Sequence, residues 1–132
     1  MLISAPYGND AASVGSLLAD HGYQIALCPT LEDIAAAIDR ETGVILVTEE
    51  ALRADLGPLH RALEAQPSWS DIPFVLLSGR SGGRAADSEI IRRRLPDSAI
   101  NVILLERPLS AESLTSAIAS AMRARQKQFQ IR

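Results

Sequence analysis

The sequence lacks several features that define whole classes of protein. Its single cysteine, Cys28, rules out an internal disulfide framework and any metal site built from several cysteines, and it fits a reducing compartment. No segment approaches the roughly 20 apolar residues that a bilayer-spanning helix needs, and the N-terminus has no basic stretch followed by a long apolar run. We therefore expect a cytoplasmic segment without membrane contact.

Aromatic residues and net charge are also scarce. Phe, Trp and Tyr make up 4% of the chain and the formal charge is −3, so the sequence offers neither a stacking platform nor a global attraction for nucleic acid. His21 and His60 are distant in sequence and fall on separate predicted helices, which argues against a histidine metal site or a catalytic pair. We expect no nucleic-acid partner, no metal and no cofactor.

What the chain does contain is an ordinary globular composition. Apolar residues make up 47% and charged residues 22% of 132 residues. A domain of this size buries roughly two-thirds of the surface that its unfolded chain exposes, so a single core is sufficient. One domain is the simplest expectation.

Five short apolar runs alternate with helical patterns along the chain. The clearest helix carries Leu31, Ile34, Ala35 and Ile38 on one face, because these positions follow the helical repeat. The predicted strands are 2–5, 23–27, 44–47, 74–77 and 102–105, and the remaining helices lie near 10–21, 59–63 and 88–95 and from Ser110 onward. This alternation predicts an α/β, flavodoxin-like (βα)5 sandwich with a parallel sheet in the order 2-1-3-4-5.

In such a sheet, ligands and chemistry lie beyond the carboxyl ends of the strands. Two segments at these ends are distinctive: SDIPFVLLSG, which ends near Ser78, and LLERPL, which contains Arg107 and Pro108. They resemble the fourth-strand segment and the lysine-proline segment of two-component receiver domains, and the likeness covers about residues 1–125. The resemblance implies that Ser78 and Arg107 occupy the positions that sense a phosphoryl group.

The other receiver positions depart from the family pattern. The family holds magnesium with an acidic pair after strand one and phosphorylates an aspartate that ends strand three. Here Ala5 and Pro6 stand at the acidic-pair position, and Thr48 followed by Glu49 stands at the phosphoacceptor position. Magnesium is usually held by carboxylates with phosphate and water, and threonine is a poor acceptor without a neighbouring base. The sequence therefore predicts a pseudo-receiver that has no catalytic residue and is not itself an enzyme.

The role of Glu49 stays open at this point. Together with Glu50, it could imitate a phosphorylated aspartate by placing negative charge near Ser78 and Arg107, and Glu49 could form an ion pair with Arg107. Alternatively, Glu49 is a solvated acid at the start of a loop.

Four segments together resemble the N-terminal input domains of some bacterial sensor histidine kinases. These are TEEAL at 48–52, a QPxWSDxP turn at 66–73, LLERP at 104–108 and the basic stretch 123–132. The resemblance implies a receiver-like domain at 1–122 and a helical extension at 123–132 that leads to a downstream kinase module. The expected partners are that module, another protein, or a second copy paired through the last helix. Trp69, within the turn, is interpreted as an anchor for its loop.

The competing hypothesis is a flavodoxin-like domain that binds phosphate or a nucleotide. PYGNDAAS at 6–13 would then be a phosphate loop at the N-terminus of the first helix. The segment lacks the clustered Gly, Ser and Thr residues that let backbone amides surround a phosphate, so the signalling interpretation is favoured.

Overall fold

The computed structural model describes residues 2–4, 10–28, 30–48, 56–78, 101–106 and 110–131. The strands are β1 (Leu2–Ser4), β2 (Ala26–Leu27), β3 (Ile45–Thr48), β4 (Phe74–Ser78) and β5 (Val102–Glu106). The helices are α1 (Asp10–Asp20), α2 (Leu31–Ala37), α3 (Gly57–Glu64) and α4 (Ala111–Ile131). The helix predicted at 88–95 lies outside the described residues.

All five strands are parallel and lie in the order β2-β1-β3-β4-β5. The predicted flavodoxin-like arrangement is therefore confirmed. Strand β3 is the centre of the sheet, and all of its residues are buried, as expected for a strand covered on both faces.

Alternate residues of the central strands enter two cores on opposite faces of the sheet. On one face Ile45, Val47, Phe74 and Leu76 pack with residues of α2 and α3: Leu31, Ile34, Leu59 and Leu63. On the other face Leu46, Val75 and Leu77 pack with residues of α1 and α4: Leu18, Leu114, Ile118 and Ala121. The two-residue period of a strand explains why continuous apolar runs supply both layers.

Helix ends follow the signals in the sequence. The Thr30 hydroxyl accepts a hydrogen bond from the Asp33 amide at 3.1 Å and so caps α2. The Ser110 hydroxyl accepts one from the Ser113 amide at 3.0 Å and so caps α4. Gly22 follows α1 with φ 90, the left-handed geometry that glycine adopts without steric cost.

Strand β2 is shorter than predicted, because it begins at Ala26 and not at Tyr23. The Tyr23 amide instead donates to Leu18 O at 3.2 Å, and the Gly22 amide donates to Ala19 O at 3.0 Å. These bonds satisfy carbonyl groups at the end of α1, so the first residues of the predicted strand serve the helix terminus. The described part of the chain has no helix that is both long and apolar enough to cross a membrane.

Candidate functional site

The carboxyl ends of β3, β4 and β5 lie at one edge of the sheet. Thr48 is in register with Leu77, and Ser78, one residue further along β4, is in register with Glu106. The sheet thus places Thr48 and the backbone of Ser78 on two neighbouring strands. Their assignment to the phosphoacceptor and switch positions stays a prediction from the receiver resemblance.

Thr48 is held at the end of the central strand with 1% of its surface exposed. Among the side chains that the structure describes, its Oγ1 is the one buried polar atom without a hydrogen-bond partner. A buried hydroxyl that lacks a partner costs free energy, and most native hydroxyls avoid that cost. The fold therefore places an unused hydrogen-bonding group at the edge where α/β proteins bind ligands.

The chemistry available at Thr48 is limited. A threonine hydroxyl is neutral and needs an adjacent base before it attacks an electrophile, and no described group accepts the proton of Oγ1. Among the residues that the structure describes, no three His, Cys, Asp or Glu side chains come together as a metal site. The Thr48 side chain can donate or accept a hydrogen bond, and it carries no charge of its own.

The described part of the structure does not include the remaining predicted site residues. Ala5, Pro6, Glu49, Arg107 and Pro108 lie outside the described residues. The loss of the acidic pair and the pairing of Glu49 with Arg107 therefore stay predictions.

Cys28 follows β2 and is the described residue nearest in sequence to the carboxyl end of that strand. Burial raises the pKa of the Cys28 thiol, and the carboxylate of Asp33 raises it further. A protonated thiol is a poor nucleophile, so Cys28 behaves as a buried apolar residue.

Arg125 is a structural feature that the sequence analysis missed. It belongs to the basic segment expected to extend beyond the domain, yet its side chain is fully buried. The spacing of Arg125 in the sequence could have indicated its burial, because Arg125 follows Ile118 and Ala121 on the helical stripe that α4 buries. An apolar stripe does not by itself predict that an arginine continues it.

Comparison with solved structures places this architecture among known folds. A receiver-domain protein from Clostridium thermocellum matches with a TM-score of 0.70 and 16% identity, covering 95% of this chain and 94% of that one. A CheY-like receiver-domain protein from Methanospirillum hungatei JF-1 matches with 0.69 and 17% identity, covering 96% and 95%. This chain has the receiver-domain fold. The receiver resemblance drawn from the strand-end segments is thereby confirmed as a likeness of fold.

NtrX from Brucella abortus contains a similar part within a longer chain. Its structure matches with a TM-score of 0.73 and 20% identity over 98% of the receiver-like chain, but the match covers only 28% of NtrX. The receiver-like chain therefore corresponds in length to about a quarter of that relative. No protein-family model matches this sequence, and no curated protein matches it.

Proposed function

We propose that this receiver-like domain is a regulatory module of two-component signal transduction that acts through protein contacts without being phosphorylated. The observation that carries the proposal is Thr48 at the end of the central strand of a receiver fold. Thr48 is buried and its hydroxyl has no hydrogen-bond partner among the described residues, whereas the receiver resemblance implies a reactive aspartate at this position.

Physical chemistry supports a phosphorylation-independent role. Receiver phosphorylation needs a carboxylate nucleophile and a magnesium ion that neutralises charge on the phosphoryl group. Thr48 supplies neither, and Ala5 and Pro6 replace the acidic pair in the sequence. In this proposal the chain keeps the receiver fold, but its sequence lacks the nucleophilic carboxylate and the acidic pair that receiver phosphorylation needs.

The proposed setting is the N-terminal part of a sensor histidine kinase. Support comes from the combined likeness of 48–52, 66–73, 104–108 and 123–132 to input domains of such kinases. In this proposal the domain is not the enzyme, and kinase activity belongs to a module that follows it. The partner is that module or a second copy of the chain paired through α4.

Autophosphorylation of the full-length protein tests this setting. We expect labelled ATP to modify a histidine outside residues 1–132, and deletion of 1–122 to change the rate of that reaction. A full-length protein that phosphorylates no histidine would refute the kinase setting. A rate that is the same with and without the domain would refute its regulatory role.

Calorimetric titration with inorganic phosphate, ADP and ATP addresses the ligand-binding alternative. NtrX from Brucella abortus has been crystallised with ADP and with ATP, so these nucleotides are suitable probes. The signalling proposal expects no saturable heat for the isolated receiver-like domain. Stoichiometric binding would favour the phosphate-loop hypothesis for residues 6–13 instead.

A further inference from the structure

The C-terminal half of α4 contains basic residues in two different environments. Arg123 and Lys127 are exposed, whereas Arg125 between them is fully buried and is among the largest buried side chains of the described residues. Burying a guanidinium group is costly unless hydrogen bonds replace its water shell. The contacts that replace this water shell indicate what Arg125 does.

The guanidinium group of Arg125 bonds to two separate turns. Its Nε donates to Thr42 O at 2.8 Å and its Nη2 donates to Arg40 O at 3.0 Å, both in the turn that leads into β3. Its Nη1 donates to Ser70 Oγ at 2.7 Å, in the turn that leads into β4. Ser70 in turn donates to Gln66 Oε1 at 2.7 Å, so the second turn is itself braced.

Aromatic rings enclose the same guanidinium group. Its central carbon lies 5.4 Å from the ring centre of Trp69 and 4.7 Å from that of Phe129. The two rings meet edge to face with their centres 6.0 Å apart. Guanidinium groups bind favourably over aromatic faces, and a planar fork suits this position better than a lysine ammonium. Trp69 thus anchors its turn to α4, in agreement with the anchoring role predicted for it.

Gln128 adds a second attachment one turn further along α4. Its side-chain amide accepts from the Asp71 backbone N–H and donates to the Asp71 carbonyl, each at 2.8 Å. It also accepts from Arg125 Nη1 at 2.7 Å, which links the two attachments. The helix therefore touches the domain well beyond Met122, the last residue of the expected receiver-like part.

We propose that Arg125 is a conformational lock that fixes the end of α4 to the turns preceding β3 and β4. The two turns lead directly into β3 and β4. A helix that is hydrogen-bonded to both turns must therefore move together with the amino ends of these strands. The lock sets the direction of the last turns of α4 relative to the sheet. This inference concerns the fold of the chain and does not depend on the proposed signalling function.

Hydrogen exchange of the backbone amides tests the lock. Arg125→Met keeps an unbranched side chain but removes every donor, and Arg123→Met makes the same replacement at an exposed position of the same helix. We expect Arg125→Met to speed exchange at residues 126–131 by about tenfold or more, with a smaller change in β3 and β4, because local opening exposes only the released segment. Arg123→Met should leave both regions near the native rate.

A second variant keeps the test decisive if Arg125→Met does not fold. Gln128→Met removes the attachment to Asp71 without altering a charge, and it should also speed exchange at residues 129–131. Equal rates in Arg125→Met and Arg123→Met would overturn the lock, as would equal acceleration of α4 and the central strands. Native exchange rates throughout Gln128→Met would overturn it as well.

Discussion

Replacing Thr48 with valine tests whether its buried hydroxyl is truly unused by the fold. Valine has nearly the same shape as threonine and substitutes a methyl group for the hydroxyl. Since Oγ1 is buried and has no described partner, the native chain bears the cost of an unsatisfied hydroxyl, which is about 1 to 3 kcal/mol. We expect Thr48→Val to raise the free energy of unfolding by about 1 to 2 kcal/mol.

Thr42 offers a matched control, because it is also buried but its hydroxyl is used. Its Oγ1 accepts from the Asp39 amide at 2.9 Å and donates to Asp39 Oδ1 at 3.3 Å. Thr42→Val breaks both bonds and should lower the free energy of unfolding by about 1 to 2 kcal/mol. The same substitution should therefore have opposite signs at the two positions.

Urea denaturation followed by circular dichroism measures both variants. A change of 1 kcal/mol corresponds to about 3 to 5 °C in the melting temperature of a domain of this size. The slope of the urea transition should stay constant, which shows that the compactness of the two states is unchanged. A Thr48→Val variant that is less stable than the native chain would refute the assignment of Oγ1 as an unsatisfied group.

Two further predictions concern the core. Ile118→Ala should destabilise the domain by about 2 to 5 kcal/mol in urea denaturation, because it opens a cavity beneath α4. Ile131 is 75% exposed, so Ile131→Ala should change stability little. Equal effects of the two substitutions would contradict the packing of α4. The folded state raises the pKa of Cys28, so it binds the thiol proton more tightly than the unfolded chain. This stabilisation is fully present below the pKa that the thiol has in the unfolded chain, and it is lost as the pH rises through the pKa that the thiol has in the folded chain. The free energy of unfolding should therefore fall over this alkaline range. Cys28→Ala should remove that part of the fall, and an identical pH profile in the variant would contradict the assignment.

The sheet could be predicted because its signals are local. The continuous run before Thr48 has the composition of a strand buried on both faces, and right-handed crossovers leave few orders for five parallel strands. The caps Thr30 and Ser110 were readable because a cap acts within its own helix. The true start of β2 was not readable, since it depends on the Tyr23 amide turning back to Leu18.

The site was predictable only in part. Strand register located Thr48, but its burial and its lack of a partner result from how the surrounding chain packs. Arg125 was missed because most of its acceptors are distant in sequence: the Ser70 hydroxyl and, more than 80 residues away, backbone carbonyls at Arg40 and Thr42. Any residue type supplies such carbonyls, so the sequence carries no signal for them.

Intact-mass spectrometry after incubation with acetyl phosphate and magnesium tests most directly whether this receiver-like domain can be phosphorylated. A related receiver domain with a complete acidic site, treated in parallel, shows that the reagent is active. We expect the native chain to keep its mass, and Thr48→Asp also to stay unmodified, because Ala5 and Pro6 provide no magnesium ligands. A gain of one phosphoryl group at substantial occupancy by the native chain would contradict a phosphorylation-independent role.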